Sequence, residues 1–98
     1  MIIGSTPTYT FTLPFAVSSL AEAKVTLCQG GVSVSKKLED CTAVNNTLTV
    51  KLSQEDTLSF SEGLVEIQIK VLTQDADVLV SNVMYDTATK CLDAEVLG

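Results

Sequence analysis

Three cysteines, twelve carboxylates, two tyrosines and six lysines are the side chains of this 98-residue sequence with chemistry to offer. Histidine is absent and every base is a lysine. The commonest general base and metal ligand is therefore missing, as is the guanidinium fork that clamps phosphate or carboxylate in two places. Nucleophilic catalysis would need a lysine, a carboxylate or the amino terminus beside a serine, threonine or cysteine. No Gly-x-Ser-x-Gly elbow presents such a serine. Cys28, Cys41 and Cys91 cannot all pair with one another, and separations of 13 and 50 residues match no Cys-x-x-Cys metal or redox spacing. Three buried free thiols are expected instead. Asp75 and Asp77 share one loop, but the other oxygen ligands of a calcium loop are missing. Gly30-Gly31 is followed by a strand pattern without a nearby Gly-Lys-Ser/Thr, so it cradles no phosphate. Paired carboxylates could do glycosidase-type work, yet these fall in turns, at helix starts and on polar strand faces, where solvated surface is the plain reading. The sequence offers no catalytic residue, no metal ligand set and no cofactor site.

The formal charge of −6 disfavours nucleic acid as a partner, because polyphosphate binding depends on cationic neutralisation. Residues 1–50 hold three acids and three lysines, whereas residues 51–98 hold nine acids and three lysines, so the whole excess lies in the second half. Its plain consequence is solubility. Serine, threonine, glutamine or a charge interrupts every apolar run before the roughly 18 residues a membrane span needs. Met1 to Pro7 has neither the basic residue nor the apolar block of a secretory signal. No membrane association and synthesis in the cytoplasm are the expectations, and Asn45-Asn46-Thr47 is then read as a turn rather than a glycosylation site.

These residues must be positioned by strands. Twelve valines, four isoleucines and twelve threonines suit a pleated surface better than a helix. Tyr9, Phe11 and Leu13 alternate with Thr8, Thr10 and Thr12, the period-two pattern of a half-buried strand that Pro14 closes. Val17 to Glu22 fits one helical turn. Glu22–Gln29 and Val32–Lys37 flank Gly30-Gly31 as a hairpin, and Cys41–Val44 and Thr47–Leu52 flank Asn45-Asn46 as a second. Ser53-Gln54-Glu55-Asp56 reads as a capping box opening one or two turns of helix, with Leu58 and Phe60 placed to plug the end of a core. Leu64–Leu72 sets Val65, Ile67, Ile69 and Val71 against Glu66, Gln68 and Lys70, a central strand with one wet face. After a turn at Thr73–Asp77, Val78–Tyr85 is the partner strand. Its run of Val78, Leu79 and Val80 is typical of a strand covered on both faces, and a partner protein could be the second cover.

About seven short strands joined by turns make an antiparallel β-sandwich in one domain, residues 1–98. No Cys…Trp…Cys core marks it as an antibody-type domain. Tyr9, Phe11, Phe15 and Phe60 read as core, leaving Tyr85 as the only exposed ring. Residues 85–98 form a possible docking tail, in which Leu92, Val96 and Leu97 stand among acids. It would dock either on its own domain or on a neighbouring subunit.

Thr6–Phe15, Lys51–Leu58, Val65–Thr73 and Cys91-Leu92-Asp93, taken in order, resemble small proteins encoded in phages and prophages of Gram-positive gut bacteria. The arrangement is also similar to the Ig-like N-terminal domain of phage baseplate upper proteins. The resemblance implies an all-β, Ig-like sandwich with one or two short helical turns. It implies a non-catalytic virion, tail or baseplate component, made in the cytoplasm and then virion-associated, whose partners are other virion proteins or further copies of itself. The alternative on the same fold is a module that binds carbohydrate or a host surface.

Overall fold

A computed structural model describes all 98 residues. Eight strands follow in order: β1 (Thr8–Thr12), β2 (Leu20–Gln29), β3 (Val32–Lys37), β4 (Cys41–Val44), β5 (Thr47–Lys51), β6 (Gly63–Thr73), β7 (Val78–Val80) and β8 (Met84–Ala88). One helix, α1 (Gln54–Leu58), lies between β5 and β6, and single 3₁₀ turns occupy Val17–Ser19 and Leu38–Asp40. All strand pairings are antiparallel and form two sheets. One has the order β1-β5-β4, and the other β3-β2-β6 followed by β7 and β8, which share the far side of β6. An Ig-like sandwich places strands B, E and D in one sheet and C′, C, F and G in the other. Here β1, β5 and β4 face β3, β2, β6 and the β7–β8 edge in that same order, so the all-β sandwich expected from the alternation is the fold observed.

Parity explains the core. Ala23, Val25 and Leu27 of β2, Leu48 and Val50 of β5, and Val65, Ile67, Ile69 and Val71 of β6 are all buried, with the residues between them turned outward or half-buried. Each apolar face meets the other sheet, and side chains of this size contribute about 1.5–3 kcal/mol apiece when fully buried. The turns follow their expected chemistry: Gly30 (φ +57°) and Asn45 (φ +53°) take the left-handed conformation in the two hairpin turns. Ser53 caps α1, its Oγ accepting from Asp56 N at 3.1 Å while Asp56 Oδ2 accepts from Ser53 N at 2.9 Å. Phe60 is buried below the helix, as expected, whereas Leu58 is only half-buried.

Three expectations need correction. The helical turn ends at Ser19, because Leu20 already pairs with Thr73 and extends β2 by two residues. The single strand over Val78–Tyr85 is two strands, β7 and β8. Residues 85–88 are not tail: they belong to β8, and Ala88 is buried against Gly63. Thr57 was not anticipated as core, yet it is wholly buried. Its Oγ1 donates to Ser5 O at 2.8 Å and accepts from Gly4 N at 2.9 Å, which ties the amino-terminal segment to α1.

Candidate interaction surface

The far edge of the larger sheet is one strand in two pieces. Ile67 pairs with Met84 and Lys70 with Val80, leaving Gln68 and Ile69 on β6 opposite Ser81, Asn82 and Val83. The extra residue is a β-bulge. Ser81 holds it in place: its N–H donates to Ile69 O at 2.9 Å, and its Oγ, standing in for a ladder carbonyl, accepts from Ile69 N at 3.0 Å. The displaced carbonyl of Ser81 accepts from Gln68 Nε2 at 3.0 Å. Because paired residues share a face, Leu79 (opposite Val71), Met84 (opposite Ile67) and Asp86 (opposite Val65) point to the inner side, while Val78, Val80 and Tyr85 point outward.

The β8 half is closed by polar contacts. Asp86 Oδ2 accepts from the Tyr9 hydroxyl of β1 at 2.6 Å and from the Met1 amino group at 3.0 Å, and Oδ1 accepts from Thr87 N at 2.8 Å. Burial raises the Asp86 pKa, but the hydrogen bonds from Tyr9, Met1 and Thr87 and the charge of the Met1 ammonium outweigh it. The carboxyl therefore stays below the usual range. Burial, followed by the bond to this carboxylate and its charge, pushes the Tyr9 phenol far above its ordinary value. Outside β8, Ile3 N donates to Thr89 O and Thr89 N to Met1 O, a short parallel bridge that covers the strand's end. The cluster joins the two sheets, and each Asp86 oxygen already accepts a bond. It serves as a clasp rather than as an acid–base pair.

The β7 half has none of this. Val78, Leu79 and Val80 are 55, 45 and 53% exposed, so both faces of the strand lie open. Beneath Leu79 the sandwich gapes into an apolar groove of about 200 Å³ between β7 and the Leu13-Pro14-Phe15 segment, floored by Ile69 and Val71. Val83, Met84 and Tyr85 extend the apolar surface past the bulge, with Tyr85 the exposed ring the sequence suggested. The expected cover on both faces of this strand is not supplied by the chain itself. The run of three aliphatics carried that signal; the bulge and the clasp, which depend on cross-strand register, left no pattern in the sequence.

Other candidate residues lie apart. Cys28, Cys41 and Cys91 are free but half-buried rather than buried. Burial and then the charge of Asp40 push the Cys41 thiol up, away from the reactive thiolate. Asp75 and Asp77 are exposed in the turn between β6 and β7, and no three Cys, Asp or Glu side chains converge so as to hold a metal ion. Beyond the Thr89 bridge and the half-buried Cys91, the tail is hydrogen-bonded to its own domain through Leu97: Leu97 N donates to Gln54 Oε1 at 2.9 Å and Gln54 Nε2 donates back to Leu97 O. Leu92 and Leu97 remain 92 and 71% exposed. Compared with protein-family models, curated proteins and solved structures, the chain matches none.

Proposed function

We propose that this chain is a non-catalytic structural module of a phage or prophage particle, working through protein–protein contacts, and that a strand from a neighbouring virion subunit adds to its β7 edge. One observation carries the contact: an edge strand of three exposed aliphatics beside an apolar groove, on a sheet whose continuation at β8 is covered and charged. Strand addition supplies backbone hydrogen bonds for affinity and a pocket for alternate side chains for specificity. The groove under Leu79 would take one such side chain. The phage assignment draws on the likeness of Thr6–Phe15, Lys51–Leu58 and Val65–Thr73 to small phage proteins.

Mass spectrometry of particles purified from an induced lysogen encoding this chain tests both parts. The polypeptide is expected in the particles, and its absence rules out a virion role. A chain carrying Leu79→Lys and Val80→Lys is expected to fold but to be lost from the particles. Incorporation of that variant at the wild-type level rules out the β7 edge as the contact.

A further inference from the structure

The outer face of the larger sheet carries a row of like charges. In the register of β3, β2 and β6, Lys37 stands directly opposite Lys24, and Lys24 directly opposite Lys70. Neighbouring strands lie about 4.8 Å apart, so three ammonium groups are rooted within roughly 10 Å. Like charges directly opposite one another destabilise a sheet. Half of the chain's six lysines are nonetheless spent on this row, in a protein with twice as many acids. None of the three has a carboxylate within ion-pair distance, and the two ion pairs of the molecule, Met1–Asp86 and Lys36–Asp56, lie elsewhere. The row borders a concavity of about 770 Å³ whose apolar wall is Leu38, Leu72 and Val78, with Glu22 and Glu39 also lining it.

The tail carries the complementary pattern. Asp93 and Glu95, two residues apart, pair with no lysine, and they stand among Leu92, Val96 and Leu97, all left exposed. We propose that a second copy of the chain docks its Leu92–Leu97 segment in this concavity, Asp93 and Glu95 against Lys24, Lys37 and Lys70, and its leucines and valine against Leu38, Leu72 and Val78. Concavity and tail are different surfaces, so the contact is head-to-tail and builds a closed ring or an open filament. It uses the outer face of the sheet and shares Val78 with the β7 edge, and charge reversals that leave β7 unaltered tell the two contacts apart.

Sedimentation velocity over a range of protein concentrations tests the proposal with charge reversals on each side: Lys24→Glu with Lys70→Glu, and Asp93→Lys with Glu95→Lys. Wild-type protein is expected to gain mass with concentration at low salt. It should return to monomer when salt is raised from about 0.05 to 0.5 M, which shortens the screening length to a few ångströms. Each double variant is expected to associate at least tenfold more weakly. An equimolar mixture of the two should restore association, because an intact tail then meets an intact row. Lys24→Glu alone turns both like-charge contacts into attractive ones, so this single variant, measured beside the double, should melt higher while associating less, which separates lost docking from lost folding. Association that survives both reversals overturns the proposal and leaves the β7 edge as the contact. A wild-type chain that stays monomeric at every concentration in low salt overturns it as well, with docking of the tail on its own domain as the remaining explanation.

Discussion

β7 and β8 run along the same side of β6, three residues apart, and solve the problem of a free sheet edge in opposite ways. Natural edges are protected by inward-pointing charges, bulges and covering segments. The β8 half has all three: Asp86 on its inner face, the Ser81–Val83 bulge at its start, and Met1–Ile3 lying against its end. The β7 half presents three aliphatics and an open groove. At equivalent inner-face positions one half places a carboxylate that reaches across to β1, and the other places Leu79, which lines the open groove and makes no polar tie to the facing sheet. The difference teaches that the molecule does not leave its edge bare throughout. It leaves bare the part lined by three aliphatics and an open groove, the contact proposed above.

Making the two halves alike should have its largest effect at Asp86. Asp86→Leu gives β8 the β7 pattern and removes the acceptor for the Tyr9 hydroxyl and the Met1 ammonium. Hydrogen bonds to charged groups contribute about 1.5–3 kcal/mol each. A third of the Asp86 side chain is exposed, and screening by solvent reduces that value, so a loss of about 2 kcal/mol is expected by urea denaturation. If stability is unchanged, the cluster does not hold the sheets together.

The same clasp predicts a pH dependence with a defined sign. Asp86 is held below its ordinary value of 3.8, so its contribution to stability is complete above that pH and is lost as pH falls through the depressed folded value. Asp86→Asn keeps an acceptor but does not titrate. The stability gap between wild type and this variant should therefore be constant near neutrality and narrow below about pH 4. Tyr9 works at the other end. Its pKa is raised from 10.0, so its contribution is complete below that pH and falls as pH rises above it. In a Tyr85→Phe protein, where Tyr9 is the only tyrosine, phenolate absorbance should appear only well above pH 10. A phenolate that forms at the ordinary value would show that Tyr9 is not bonded to Asp86.

The fold was legible in the sequence to the extent that it depends on parity. The alternation Val65, Ile67, Ile69, Val71 and the turn residues Gly30 and Asn45 each act locally, and the strand face and the two hairpin turns follow from them. What escaped depends on groups far apart in sequence. Tyr9 and Asp86 are 77 residues apart, and Thr57 meets Ser5 across 52 residues. A threonine in a short helix carries no local sign that two backbone groups will meet its hydroxyl. The bulge was hidden because Val78–Tyr85 is apolar enough to read as one strand, and only the pairing with Gln68 and Ile69 shows that it has one residue too many. The lysine row was equally invisible, since Lys24, Lys37 and Lys70 share no spacing until β2, β3 and β6 fix the register.

Removing the extra residue sharpens the contrast at smaller cost. Deletion of Asn82 leaves Met84 opposite Ile67 on the inner face and joins β7 and β8 into one regular strand. A stability change of about 1 kcal/mol or less is expected, since no core side chain moves. The longer, flatter edge should pair more readily with other chains. Increased light scattering at equal concentration would register this, and an unchanged signal would show that the bulge does not limit edge pairing.

Leu79→Lys should have the smallest effect on folding and a decisive one on contact. The Leu79 side chain is nearly half exposed over an open groove, and the aliphatic stem of a lysine can cover the same surface while its ammonium reaches solvent, so little buried area is lost; surface changes of this kind usually stay within about 0.5 kcal/mol. A lysine there places a charge in the groove a partner side chain would enter and restores the inward charge that β8 already has. Leu79→Lys and Asp86→Leu therefore make a reciprocal pair: the first is expected to retain the melting temperature and lose strand addition, the second to lose melting temperature and gain an unprotected edge. Equal melting temperatures for the two variants would mean that β7 and β8 are not specialised for different tasks.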